Sequence, residues 1–138
     1  MSDASRNVEI LKQAYSSWAK TKGASADQWL SICADNICFG SLEQGPAGAQ
    51  YFTAFQERNA LKDYFAGLSR DWEMLDYVTV HYIAQDDRVV VLGHCAWKFK
   101  QTGKIVETPK ADSWRFKDGK AVEYYEFYDT AQVHAALT

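Results

Sequence analysis

Val8, Leu11, Tyr15 and Trp18 recur at the three- and four-residue spacing of one helical face, while Lys12, Gln13 and Lys20 fall elsewhere. The chain therefore opens on an amphipathic helix, and Gly23 predicts its end. Ser25 stands three residues before Gln28, the spacing of a capping box, and Trp29, Leu30 and Cys33 supply the apolar face of a short second helix. Residues 36–42 predict a first strand. Between Gly40 and Glu57, three glycines and a proline accompany Tyr51, Phe52 and Phe55. That composition predicts a long loop whose aromatics pack under something apolar, whether the core, a pocket mouth as a lid, or a partner. Leu61, Tyr64, Phe65 and Leu68 predict a third helix.

From Trp72 the period changes. WEMLDYVTVHYIA, RVVVLGHCAWKFK, KIVETPKADSWRF and KAVEYYEFY are β-rich runs separated by the turn signals QDD, QTG and KDG, which predicts a four-stranded meander. TAQVHAALT adds a short helical turn at the end. Helices followed by hairpin-linked strands define an α+β class, a single domain over residues 1–138 in which an antiparallel sheet is covered on one face by the N-terminal helices, which it would wrap around if curved.

Composition sharpens the picture in one respect. Five Trp, eight Tyr and seven Phe make up 14% of the 138 residues, a supply of large flat side chains suited to lining a core, an interface or a pocket for a small apolar molecule. The net charge is −3 and the basic residues are scattered, which argues against nucleic acid as a partner. The first residues hold no apolar leader and no apolar run is long enough to span a bilayer, so the expectation is a soluble, cytoplasmic chain with no membrane partner. Cys33, Cys38 and Cys95 are an odd set without CxxC spacing, and His81, His94 and His134 lie far apart. Buried thiols are expected, with no disulfide framework and no metal. Phosphate-binding glycine loops and GxSxG elbows are absent from the sequence.

Candidate chemistry concentrates in the last hairpin, where register decides which polar groups share a face. A two-residue turn at Asp118-Gly119 sets Trp114 opposite Glu123 and Asp112 opposite Tyr125, and turns Glu126 to the other face. A three-residue loop with a bulge at Gly119 sets Trp114 opposite Val122, Asp112 opposite Tyr124 and Lys110 opposite Glu126. The second register gathers Phe116, Trp114 and Val122 on one apolar side and is preferred. It points Lys110, Asp112 and Glu126 toward an aromatic surface with Tyr124 and Tyr128. Burial there would tune a carboxyl for proton transfer; the same spacing also fits an ordinary Lys110–Glu126 cross-strand pair with Asp112 bonded to a tyrosine.

The order of elements, with Tyr15 and Trp18 on the first helix, then ADNICF, DRVVVLG, TGKIVETPKADSWRF and GKAVEYYEFYD, resembles the nuclear transport factor 2-like superfamily. The likeness runs over essentially the whole chain and is strongest to the SnoaL-like polyketide cyclase and ketosteroid isomerase-related branch. It implies a cystatin-like cone with an internal pocket. In ketosteroid isomerases a helix-one Tyr and a strand Asp form an oxyanion hole, and Tyr15 and Asp112 match those places. The general-base Asp of that family falls at Ser41 here. A serine does not take up a proton as a carboxylate does, so Glu43 or Glu126 would have to supply the base, and Glu126 is the choice.

Glu126 also matches an acidic residue of limonene epoxide hydrolases, but that family's Arg and Asp fall at Gly93 and Cys95, which disfavours epoxide hydrolysis. The resemblance thus implies an isomerase or cyclase moving a proton next to a carbonyl without a cofactor, with Tyr15, Asp112 and Glu126 as catalytic candidates. Trp18, Ser41, Phe55, Cys95, Trp97, Lys110, Trp114, Tyr124 and Tyr128 are the ligand-binding candidates. The alternative is a non-catalytic ligand-binding or dimerisation module. A homodimer through the outer sheet face is implied, with Tyr77, Tyr125 and Phe127 as apolar area there.

Overall fold

The computed structural model describes residues 2–41, 53–56 and 58–138. Helix α1 spans Asp3–Lys20, and the Ser2 side chain accepts a hydrogen bond from the Ser5 N–H, so the helix starts on an ordinary cap. It stops where Lys22 and Gly23 turn left-handed (φ 53° and 84°) and the Gly23 N–H reaches back to Trp18 O at 3.0 Å. Helix α2 (Ala26–Ile32) follows, but the expected capping box is not made: Ser25 sits at φ −98°, ψ 35°, outside the extended conformation a cap requires, and its buried Oγ finds no partner.

Strand β1 is Cys33–Ser41, β2 is Thr53–Gln56 and helix α3 is Arg58–Asp71. The loop expected between Gly40 and Glu57 is thus partly strand, with β2 antiparallel to β1 and Phe55 in register with Phe39. Tyr51 and Phe52 lie outside the described residues. The meander follows as β3 (Trp72–Gln85), β4 (Arg88–Phe99), β5 (Ile105–Lys117) and β6 (Lys120–Tyr128), and α4 (Thr130–Ala136) closes the chain.

The six strands form one sheet in the order β2-β1-β6-β5-β4-β3. The meander is antiparallel throughout, whereas β1 runs parallel to β6. α3 and three meander strands separate those two in sequence, ample length for a crossover between parallel strands. Helices fill the concave side. Leu11, Ala14, Tyr15 and Trp18 of α1 and Trp29 of α2 are buried against Val89 and Val91 of β4 and Trp114 and Phe116 of β5, so the alternation along each strand marks the inner face.

Two bulges bend β3 across this core, because the pairing with β4 shifts between Met74 and Asp76 and again between Thr79 and His81. The first reverses the alternation. Tyr77, which strict period two places outside with Tyr125 and Phe127, stands opposite Cys95 on the inner face, its ring stacked 6.0 Å from Tyr15. At the second bulge the backbones of β3 and β4 approach so closely that a Cβ on Gly93 would lie 2.1 Å from Val78 O.

The last hairpin takes neither of the two registers. Asp118 and Gly119 form a two-residue turn with positive φ (52° and 78°), pairing Lys117 with Lys120, and a bulge at Val122 then shifts the ladder so that Trp114 faces Tyr124, Asp112 faces Glu126 and Lys110 faces Tyr128. This differs from the preferred register by two residues, an even slip that leaves Lys110, Asp112, Trp114, Tyr124 and Glu126 inward, while the buried Ala121 takes the place beside Phe116 that Val122 was expected to share. On the outer face Val78, Val80, Ile83, Ile105 and Phe127 are exposed. Among the described residues no helix is long and apolar enough to cross a membrane.

Candidate functional site

Inside the cone lies a cavity of about 260 Å³. Its walls are aromatic: Tyr15 and Trp18 from α1, Trp29 from α2, Tyr64 and Phe65 from α3, and Trp97 and Trp114 from the sheet. Trp29 and Trp114 stack at 5.4 Å and 9°, and Trp114 stacks in turn on Tyr124 at 4.2 Å, so the deep end is a rigid ring assembly. Asp63, Arg70 and Asp71 of α3 line another part of the wall, along with Val133 of α4, and the Arg70 guanidinium is held by the Asp71 carboxylate at 2.9 and 3.0 Å.

A second charged cluster, on the sheet, interrupts the apolar lining. Alternation along β5 brings Lys110, Asp112 and Trp114 to the inner face, and β6 adds Tyr124, Glu126 and Tyr128. The Lys110 ammonium sits between two carboxylates, 2.6 Å from Asp112 Oδ1 and 3.0 Å from Glu126 Oε2. The Tyr15 hydroxyl donates to Asp112 Oδ2 and accepts from Trp114 Nε1–H at 2.9 Å. Tyr64 donates to Glu126 Oε1, and Tyr124 donates to Glu126 Oε2 at 3.0 Å. Ser41, which shares a 2.9 Å hydrogen bond with Tyr128, also bonds the Glu126 carboxylate.

Burial governs the protonation of this cluster. It acts to lower the Lys110 ammonium, but Asp112 and Glu126 outweigh it and keep the proton on well beyond the ordinary lysine range. Burial also works to raise Glu126, yet the Lys110 charge and the hydrogen bonds from Tyr64 and Ser41 bring it below the usual carboxylate value. Asp112 ends up raised, because burial, joined by the Glu126 charge, exceeds what Lys110 and Tyr15 return. Burial raises the Tyr15, Tyr64, Tyr77 and Tyr124 hydroxyls well above ordinary phenols. It pushes Cys33 up to about 12 and Cys95 to about 11, so both cavity thiols stay protonated.

The residues singled out from sequence distribute unevenly over this geometry. Tyr15, Trp18, Cys95, Trp97, Lys110, Trp114, Tyr124, Glu126 and Tyr128 line the cavity. Asp112 and Ser41 are not part of the lining and stand behind it, each bonded to residues that are. Phe55 is placed by its backbone on β2, and Glu43 lies outside the described residues. Tyr64, Tyr77 and Trp29 were not among the candidates. Tyr64 and Trp29 carried a signal, as members of the apolar faces of their helices, while Tyr77 was hidden by the β3 bulge. Among the described residues no three His, Cys, Asp or Glu side chains gather to hold a metal ion.

Comparison with known proteins agrees with this architecture. The model of the SnoaL-like domain matches residues 12–124. An NTF2-like protein from Burkholderia xenovorans superposes with a TM-score of 0.79 at 21% identity, over 99% of this chain and 98% of that one. An NTF2-like protein of unknown function from Burkholderia pseudomallei gives 0.79 at 19% identity, over 100% and 99%. TerC, co-crystallised with polyporic acid, gives 0.76 at 21%, over 96% and 98%. At these identities the likeness establishes the fold alone. No curated protein matches the chain.

Proposed function

Because this chain belongs to the SnoaL-like domain family, we propose that its cavity takes up a small, largely apolar molecule bearing a carbonyl group and moves a proton at the carbon beside that carbonyl. The observation that carries this is the Lys110 ammonium, fixed between Asp112 and Glu126 in the sheet wall of a largely aromatic cavity. A carbonyl oxygen seated against Lys110 meets a donor that keeps its proton. Glu126 is the adjoining carboxylate and takes the proton from the neighbouring carbon. The electron pair moves onto the oxygen, and the ammonium stabilises the resulting enolate. Return of the proton to a different carbon completes an isomerisation, and attack of the enolate carbon on a second carbonyl completes a cyclisation.

Tyr15 and Asp112 act differently from an oxyanion hole in this scheme. The Tyr15 proton is directed at Asp112, and Asp112 in turn holds Lys110. They position the cation. The cavity of about 260 Å³ falls below the roughly 300–1,000 Å³ of pockets for drug-sized ligands, which suits a molecule of one or two rings. That TerC was co-crystallised with polyporic acid supports a small-molecule occupant.

A second reading, a non-catalytic binding module, is favoured by one feature: Tyr64, Tyr124, Lys110 and Ser41 all donate to the Glu126 carboxylate and occupy its acceptor sites. Deuterium exchange at the activated carbons of 2-tetralone, followed by proton NMR, separates the readings. The protein is expected to accelerate exchange above buffer, and Glu126→Gln is expected to reduce that acceleration by about 100-fold or more. Quenching of tryptophan fluorescence by the ketone without accelerated exchange would favour the binding module. The outer sheet face, where Val78, Val80, Ile83 and Phe127 are exposed, is proposed to pair two copies of the chain. Sedimentation velocity is expected to show a dimer, and a monomer at every concentration would remove that part of the proposal.

A further inference from the structure

Leu68, Trp72 and Trp97 line the cavity and also a second groove of about 440 Å³ between the end of α1, the end of α3 and the start of β3. We propose that this groove receives the carboxylate end of an elongated ligand whose carbonyl-bearing ring lies in the main cavity, an inference that rests on the function proposed above. Continuity is the first argument, since the same indoles border both spaces and an aliphatic arm leaving the ring has an apolar path between them.

Charge is the second. Lys22 Nζ donates to Leu75 O at 2.9 Å and Lys100 Nζ to Ser69 O at 2.9 Å. Each ammonium is thereby anchored at the groove by one of its three donors and retains the others. Among the described residues neither lysine has a carboxylate within ion-pair distance; the Lys100 charge does act on Asp71, but that carboxylate is held by Arg70. Glu73 contributes to the rim, but its register partner is Lys98 and it alternates with the inward Trp72 and Met74, which turns its side chain to the other face.

Orientation follows from the contrast between the two ends. In the main cavity the Lys110 charge is already matched by Asp112 and Glu126, so a neutral oxygen suits that end and an anion is repelled by Glu126. The groove has the reverse balance. Gly23 lines the same edge, and its φ of +84° is a conformation that suits glycine.

The test uses 2-tetralone, the same ketone carrying an aliphatic arm that ends in a carboxylate, and the methyl ester of that armed ketone, each titrated by tryptophan fluorescence. At low salt the acid is expected to bind the wild-type protein about fivefold tighter than the ester. The advantage is expected to shrink at high salt and to disappear in a Lys22→Gln, Lys100→Gln double variant shown by circular dichroism to be folded. Equal binding of acid and ester to the wild type, or an acid advantage that survives in the double variant, overturns the groove assignment while binding of plain 2-tetralone leaves the cavity reading standing. Failure of all three compounds to bind overturns both.

Discussion

Lys110→Met is expected to lose about 3–5 kcal/mol of folding stability near pH 8. Methionine has a similar length and fills the same space, so the loss reports charge and not volume. Asp112 and Glu126 are directly paired across β5 and β6, and the Lys110 ammonium lies 2.6 Å from one carboxylate and 3.0 Å from the other. Without it two buried carboxylates face each other and at least one must take up a proton. The variant is therefore expected to regain stability as the pH falls toward about 5, since protonation relieves the repulsion.

The wild type behaves differently at its limits. Glu126, held below its ordinary value, contributes stability that is present above the unfolded-state value and is lost as the pH falls through its lowered folded value. Lys110, held above its ordinary value, contributes stability that is present below the unfolded-state value and is lost as the pH rises through its raised one. Asp112 runs opposite to Glu126: its raised folded value favours the folded state at low pH and the benefit fades as the pH rises through that value. Urea unfolding of both proteins at about pH 8 and pH 5 measures these trends. A variant within about 1 kcal/mol of wild type at the higher pH, or one that gains nothing on acidification, would contradict the described cluster.

Gly93→Ala is expected to destabilise by about 4 kcal/mol or more, or to prevent folding. The added Cβ would meet Val78 O at 2.1 Å and the Val78 C and Thr79 Cα atoms at 3.0 Å, all of them backbone. Relief requires moving β3 at its second bulge, where Thr79 pairs with Gly93. Thermal unfolding by circular dichroism provides the measurement, and a Gly93→Ala chain melting within a few degrees of wild type would show that the strand crossing is looser than described.

These two sites mark where the sequence was legible and where it was not. The helices were readable because Val8, Leu11, Tyr15 and Trp18, and later Leu61, Tyr64, Phe65 and Leu68, keep a period that only one local geometry satisfies. The meander was readable from its turn residues, and the inward set of Lys110, Asp112 and Glu126 followed from alternation. Bulges defeated the rest, because an inserted residue leaves no compositional mark yet reverses or shifts everything beyond it. That reversal moved Tyr77 from the outer face to the cavity. At Val122 the inserted residue shifted the final ladder, and Glu126 kept its face because the preferred register was wrong by an even number. Ser25 failed as a cap for a related reason: a side chain of the right type stands on a backbone of the wrong conformation. That Asp112 stands behind the cavity wall while Lys110 forms part of it was likewise invisible to spacing, which orders residues on a face but not in depth.

The parallel pairing of β1 with β6 bears on the order in which the chain is built. Cys38–Ser41 pair with Glu123–Glu126, so β1 emerges well before the strand it pairs with and waits for it. The meander closes by neighbouring hairpins and α1 can cover Val89 and Val91 of β4 as soon as they are made, but Trp114 lacks the Tyr124 ring it stacks on until β6 exists. Long-range closure of this kind slows folding relative to local pairing and leaves apolar surface open in the interval. A nascent chain halted before Lys120 would thus leave Trp114 without the Tyr124 ring and Lys110 without Glu126, and the last of the six strands to leave the ribosome is the one that completes the charged cluster.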